Sequence, residues 1–88
     1  MLRMLFIIHF VVLVHRNVPL YYKKLGLNIT YYRKEKGLSQ INLAEKIGVS
    51  RTHMSRIETA GCAVSLDVVF NIGDALEIPI YKLFEFRN

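Results

Sequence analysis

The amino-acid sequence predicts an all-α protein of five helices, preceded by an apolar N-terminal segment outside their core. Three observations favour this class. Apolar residues after position 20 recur three and four residues apart, the spacing of one helix face. Serines precede these segments and glycines follow several of them, as helix caps do. No run after residue 20 has the pattern of a strand.

The first helix is predicted from roughly Tyr22 to Lys36, because Leu25, Ile29 and Tyr32 fall on one face. Gly37 then supplies a left-handed C-cap. Each of the next three helices follows a serine N-cap, and proline suits the first turn of the last one. These four helices are predicted at Gln40–Ile47, Arg51–Thr59, Leu66–Leu76 and Pro79 to about Phe84.

The inner faces of these helices predict the core. In the fourth helix the inward residues are expected to be Leu66, Val69, Ile72 and Leu76, which follow a helical spacing. Phe84, at the end of the last helix, is expected to join them in the core.

Residues 1–19 differ from the rest of the chain. Residues 4–14 are apolar apart from His9, but a membrane-spanning helix needs ~20 such residues. A signal peptide would show a small-residue cleavage site, which does not follow. The β-branched residues and the lack of a helical period are compatible with a buried strand or strand-prone tail. We favour the hypothesis that 1–19 are an extension, the product of a wrongly assigned start, and that 20–88 form the functional domain.

The length and the charge of the chain limit the classes of function that it can have. With 88 residues the chain forms one small domain, which leaves little room for the deep pocket of a metabolic enzyme. The net charge is +5, and residues 20–62 hold eight basic side chains against three acidic ones. A basic side suggests a polyanionic partner, either nucleic acid or an anionic membrane surface. The single cysteine, Cys62, excludes an intramolecular disulfide and a cysteine-rich zinc site.

The second and third helices carry the spacing of a helix-turn-helix. Ala44 is small where the second helix must let the third approach, and Gly48 sits where the chain must reverse. Val49 follows as a buried turn residue, and Met54 and Ile57 anchor the third helix. A general helical hairpin does not need all of these residue types at these positions.

The string GLSQINLAEKIGVSRTHMSRIE, Gly37 to Glu58, resembles the helix-turn-helix family of phage repressors and Cro proteins. The later string from Ser65 to Phe84 is similar to the fourth and fifth helices of that family. The resemblance covers residues 25–84 and none of residues 1–19. It implies a five-helix DNA-binding domain whose third helix lies in the major groove of double-stranded DNA.

The resemblance also implies a role for individual residues. With Met54 and Ile57 inward, the outward side chains of the third helix are expected to read base edges. Residues at the helix ends are expected to bind phosphate and to fix the register on DNA. The expected base-reading residues are Arg51, Thr52, Ser55 and Arg56, and the expected phosphate-binding residues are Gln40, Lys46, Ser50 and Thr59.

Two further features follow from the comparison with the family. Glu58 is expected to pair with Arg33, which would tie the first helix to the end of the third. The loop Thr59–Val64 departs from the family because it contains no Lys or Arg. Fewer cationic phosphate contacts weaken binding by a single copy, which favours binding as a dimer.

No pattern predicts catalysis, a metal site or a cofactor. The serine and threonine hydroxyls lack an accompanying base and acid, so the chain is not expected to be an enzyme. His9, His15 and His53 lack a plausible shared ligand geometry, and His53 is expected to pack beside Met54.

The sequence therefore favours a bacterial, cytoplasmic transcriptional regulator that represses as a homodimer. Its dimer surface is expected in the less basic C-terminal half, with Phe70, Tyr81, Phe84 and Phe86 as candidates and Phe84 the most core-like. The alternative is an antitoxin-like protein-interaction module that binds a toxin or other partner through Leu83, Phe84 and Phe86. The shortness of the apolar run argues against a membrane partner.

Overall fold

The structure, a computed structural model, describes the backbone of residues 2–86 and the side chains of residues 17–86. Every regular element in residues 2–86 is helical. The fifth helix of the sequence prediction is a 3₁₀-helix rather than an α-helix. The elements are α1 Leu2–Glu35, α2 Gln40–Ile47, α3 Arg51–Glu58, α4 Leu66–Leu76 and a C-terminal 3₁₀-helix Ile80–Phe84.

The structure of the N-terminal segment differs from the sequence prediction. The backbone of residues 4–14 belongs to α1, which begins at Leu2 rather than near Tyr22, so the strand interpretation was wrong. Extending an existing helix adds a hydrogen bond per residue without a new nucleation cost, which outweighs the slightly lower helix propensity of β-branched residues. Pro19 lies within α1, although proline removes a backbone donor there.

The side chains of residues 4–14, with His9 and His15, lie outside the described residues, so the proposed boundary at residue 20 stays a prediction. The described residues on either side of it, from Asn17 to Leu20, are exposed. Within the described part of the chain, no helix combines the length and the apolar content needed to cross a membrane.

The four α-helices in residues 2–86 all end in the same way. A residue within two positions of each helix end has a positive φ: Gly37 (72°), Gly48 (75°), Ala60 (59°) and Glu77 (56°). Paired backbone hydrogen bonds close each end, such as Val49 N to Ala44 O at 3.0 Å after α2. These are Schellman motifs, which satisfy carbonyl groups that the helix leaves without a donor. The serine N-caps are also confirmed, since Ser39, Ser50 and Ser65 each accept a backbone N–H.

The core lies where α1, α2, α3, α4 and the 3₁₀-helix meet. Its fully buried side chains include Ile29, Leu43, Met54, Ile72, Leu76 and Leu83. Two expectations were wrong: Leu66 is 61% exposed and Phe84 is 42% exposed. In α4 the buried face starts one turn later, at Val69. In the 3₁₀-helix Leu83 takes the core position, and three residues per turn point Phe84 away from it.

Gly26 sets how closely α1 approaches the end of α3. A Cβ at this position would overlap the backbone carbonyl oxygen of Glu58 and come within 2.9 Å of the carbonyl oxygen of Ile57. The glycine therefore permits direct contact between the helix and the last turn of α3. Asn28, two residues later, donates from Nδ2 to the carbonyl oxygen of Leu83 at 2.9 Å and so ties the 3₁₀-helix to α1.

We expect Gly26→Ala to destabilise the protein. The substitution gains up to ~1 kcal/mol of helix propensity, but overpacking against a backbone typically costs ~1–3 kcal/mol or more. Chemical denaturation should show a net loss. Gly61→Ala is the control, because a Cβ there makes only ordinary contacts at 3.6 Å. Equal stability of the two variants would contradict the close approach.

Candidate nucleic-acid interface

α2 is capped at its start and packs against α3 through its inner side. The Ser39 hydroxyl accepts from the Asn42 amide at 3.0 Å, and Asn42 Oδ1 accepts from the Ser39 backbone N–H at 3.2 Å, so both groups at the start of α2 are paired. The buried Leu43 and Ala44 pack in the same core as the buried residues of α3. The geometry of the helix-turn-helix therefore depends on side chains that face inward.

The outward side of α3 carries the residues predicted to read bases. Met54, Ile57 and Glu58 are buried, which leaves Arg51, Thr52 and Arg56 exposed and Ser55 half-buried. The structure thus places all four predicted base-reading residues on one short helix, away from the inward-facing side chains that anchor it.

The exposed side chains of α3 differ in whether they form hydrogen bonds within the protein. Arg56 Nη2 donates to the carbonyl oxygen of Gly61 at 3.1 Å, which ties the guanidinium to the loop after α3. Among the described contacts, the side chains of Arg51 and Thr52 make no hydrogen bond. Because the N-terminal residues of a recognition helix contact base edges, Arg51 and Thr52 are the better-placed pair.

The four predicted phosphate-binding residues have different surroundings. Lys46 is exposed. The Ser50 hydroxyl accepts from the His53 amide at 3.0 Å, and the Thr59 hydroxyl donates to the Ser55 carbonyl oxygen at 2.9 Å. Gln40 is half-buried, and its Nε2 donates to Glu58 Oε1 at 3.2 Å. Three of the four predicted phosphate-binding residues therefore form hydrogen bonds within the protein.

Glu58 is the centre of a buried polar cluster. The structure brings it together with Arg33, as the sequence predicts: Arg33 Nε lies 2.7 Å from Glu58 Oε2, and Nη2 lies 3.0 Å from Oε1. Thr30 Oγ1 donates to the same Oε1 at 2.8 Å, and Gln40 Nε2 is a further donor. Arg33 Nη1 also donates to the carbonyl oxygen of Leu38 at 2.8 Å. The carboxylate thus joins α1, α2 and α3.

These contacts determine the acidity of Glu58. Burial of its carboxyl group raises the pKa, because a charge is poorly solvated there. Hydrogen bonds from Arg33, Thr30 and Gln40 to the ionised form act in the opposite direction, as does the positive charge of Arg33. The second effect is larger, so the pKa of Glu58 lies below its ordinary value.

Sequence reasoning missed part of this cluster. Thr30 was not assigned a contact, and Gln40 was assigned only to phosphate. Spacing could have indicated Thr30, which lies one helical turn before Arg33 on α1.

His53 is half-buried, as expected of a packing residue, and Cys62 is free and half-buried. The described residues contain no group of three His, Cys, Asp or Glu side chains arranged to hold a metal ion.

Comparisons with known proteins agree with this architecture. The helix-turn-helix family model HTH_3 matches residues 29–83. Over 65 residues, the chain is 34% identical to the HTH-type transcriptional regulator SinR of Bacillus subtilis and 32% identical to SinR of Bacillus licheniformis. These matches cover 73% of this chain but only 59% of each regulator.

Solved structures give the same result. The restriction-modification controller protein C.AhdI from Aeromonas hydrophila has a TM-score of 0.69 and 33% identity, covering 72% of this chain and 96% of the controller. The hypothetical transcription factor NHTF from Neisseria has a TM-score of 0.72 and 29% identity, covering 75% and 76%. The clp gene regulator ClgR from C. glutamicum has a TM-score of 0.69 and 25% identity, covering 72% and 82%.

Replacing Glu58 should be much more damaging than replacing an exposed glutamate. Glu58→Ala leaves the buried guanidinium of Arg33 unpaired, a change that typically costs ~3–5 kcal/mol. Glu45→Ala, at an exposed position of α2, should change the free energy of unfolding by no more than ~0.5 kcal/mol. Urea denaturation of both variants measures the difference. Two small and equal effects would refute a structural role for the pair.

The lowered pKa of Glu58 also predicts a pH dependence. The ionised carboxylate stabilises the folded state above the pKa of an unfolded glutamate, about 4.3. As the pH falls below that value towards the lower folded pKa, the unfolded state binds a proton first and the free energy of unfolding decreases. Glu58→Gln should flatten this acid limb, and Glu45→Gln should retain it. Superimposable pH profiles for Glu58→Gln and the unmodified protein would exclude this origin.

Proposed function

The chain belongs to the helix-turn-helix family of Cro proteins and phage repressors, and we propose that it is a sequence-specific DNA-binding regulator of transcription. The matched relatives and structures include proteins named as transcriptional regulators, a transcription factor and a controller protein. Such a protein acts by occupying DNA and needs no catalytic residues, and we propose that it works in the cytoplasm.

The exposed face of α3 carries this proposal. An α-helix with its side chains is about 10–12 Å in diameter, so α3 fits within a major groove about 12 Å wide. Its buried side packs on α1 and α2. The side chains of Arg51 and Thr52 are exposed at its N-terminal end. Arginine can donate two hydrogen bonds to a guanine edge, and threonine can contact a thymine methyl group. Arg56 is exposed too, but one donor of its guanidinium is used by the Gly61 carbonyl oxygen.

The charge distribution supports the same partner. The excess of basic residues lies between positions 20 and 62, which includes the whole helix-turn-helix. Positive charge near the recognition helix attracts the phosphate backbone and supplies the part of the affinity that does not depend on sequence. We propose that Gln40 and Lys46 on α2 contact phosphates and so fix the register of the protein on DNA.

We further propose that the protein binds as a homodimer and represses by occupying promoter DNA. The loop after Glu58 has no cationic side chain, so one copy makes few phosphate contacts. The C-terminal half instead exposes large apolar side chains: Phe70 at 47%, Tyr81 at 59% and Phe84 at 42%. Joining two copies there places two α3 helices on half-sites about one helical turn apart.

The first test selects bound duplexes from a random pool and then compares two variants. Arg51→Ala should relax base preference at one position of each half-site and cost ~1–3 kcal/mol on the selected duplex. Gln40→Ala should weaken binding to all sequences about equally, because phosphates carry no sequence information. Lys82→Ala, a loss of positive charge on the 3₁₀-helix, is the control. An unchanged specificity profile for Arg51→Ala would exclude it as a base reader.

The second test concerns assembly. Tyr81→Glu places a charge in the proposed dimer surface and should reduce the stoichiometry on a palindromic duplex from two copies to one, measured by analytical ultracentrifugation. Leu27→Glu is the matched control, because Leu27 is equally exposed, at 59%, but lies on α1. Saturation of the unmodified protein at one copy per site, with an asymmetric footprint, would rule the dimer out.

A further inference from the structure

The hydrogen bond between Gln40 and Glu58 links the proposed phosphate contact to the buried ion pair. We infer that Glu58 is a positioning residue for DNA binding: it holds the side-chain amide of Gln40 in the orientation that a phosphate requires, without touching DNA. This inference rests on the proposed function, because it concerns how that interface is prepared.

The chemistry of the two groups fixes the orientation of Gln40. A glutamine amide presents an NH₂ group on one side and a carbonyl oxygen on the other, whereas an ionised carboxylate only accepts hydrogen bonds. With Glu58 Oε1 3.2 Å away, Nε2 must face the carboxylate. One N–H of Nε2 is then used internally, and the second remains to donate to a phosphate oxygen. A freely rotating amide would present its carbonyl oxygen to the phosphate part of the time.

Glu58, which holds the amide of Gln40, is itself held firmly in place. Arg33 holds both carboxylate oxygens of Glu58, and Thr30 holds Oε1 from α1. Gln40 is half-buried at the first position of α2, so it is restrained before DNA arrives. A group that is already ordered loses less conformational freedom on binding. The guanidinium of Arg33 also offsets the negative charge of Glu58, which would otherwise repel a nearby phosphate.

A double-mutant cycle on DNA affinity tests the inference. The dissociation constant of the full chain for a duplex of random sequence is measured for the unmodified protein, Gln40→Ala, Glu58→Gln and the double variant. Gln40→Ala should weaken binding by about tenfold, as expected for a hydrogen bond to a charged group. In the Glu58→Gln background the same change should weaken binding by about twofold or less, because the contact is no longer prepared.

The physical reason lies in the replaced group. In Glu58→Gln one carboxylate oxygen becomes an NH₂ group and the negative charge is lost, although Arg33 donates to both oxygen positions and Thr30 and Gln40 donate to Oε1. The amide therefore cannot accept all four donors, and its neutral carbonyl oxygen holds the Gln40 NH₂ group less tightly than the carboxylate does. Thr30→Val is the matched control, because it removes another donor to Glu58 Oε1 and leaves the Gln40 contact in place. In that background Gln40→Ala should keep its full tenfold effect, even though the protein is less stable.

The outcomes separate the inference from the proposed function. An equal effect of Gln40→Ala in all backgrounds, with affinity following thermal stability, would reduce Glu58 to a structural residue and overturn the inference alone. Absence of binding to any duplex by the unmodified protein would overturn the proposed function and the inference with it.

A second measurement covers the case in which Glu58→Gln does not fold. In the unmodified free protein, the Gln40 side-chain NH₂ protons should show slow hydrogen exchange and restricted motion by NMR. The exposed Asn71 side chain provides the reference for a free amide. Exchange and mobility equal to those of Asn71 would show that Gln40 is not positioned before DNA binding and would overturn the inference.

Discussion

The arrangement of the first three helices depends on the hydrogen bonds that the buried carboxylate of Glu58 accepts. It lies in the last turn of α3 and receives donors from Thr30 and Arg33 on α1 and from Gln40 on α2. Burial of a charge is unfavourable, and this one is tolerated because each oxygen is paired and the guanidinium is adjacent. The cluster places three helices together more specifically than apolar contacts do, since hydrogen bonds require particular distances and directions.

The features that the sequence predicts well are those encoded in a short stretch of chain. The serine N-caps, the left-handed Gly37 and Gly48, and the bounds of α2 and α4 each depend on a few neighbouring residues. The ion pair of Arg33 and Glu58 was expected only through the family resemblance, because two residues far apart in sequence give no local signal of contact.

The features that the sequence did not predict depend on tertiary context. Ala60 and Glu77 adopt the backbone conformation that usually indicates glycine, because closing the ends of α3 and α4 outweighs the steric cost of a Cβ at positive φ. Gly26 has no local signature either, because a side chain at this position is excluded only by the backbone of α3, which lies far away in the sequence. Phe84 is exposed because its neighbour Leu83 takes the core position and adjacent residues of a helix point in different directions. The order of apolar residues alone does not show which of the two is buried.

The division of α3 into an inner and an outer face constrains how the interface can change. Met54, Ile57 and Glu58 fix the helix from behind, so substitutions of Arg51 or Thr52 alter what the outer face can contact without altering where it lies. Gln40 is different, because its amide belongs to both the buried cluster and the surface. The proposed base contacts of Arg51 and Thr52 can therefore change independently of stability. The proposed phosphate contact of Gln40 cannot, because Gln40 is held by Glu58, which also ties α1 to α3.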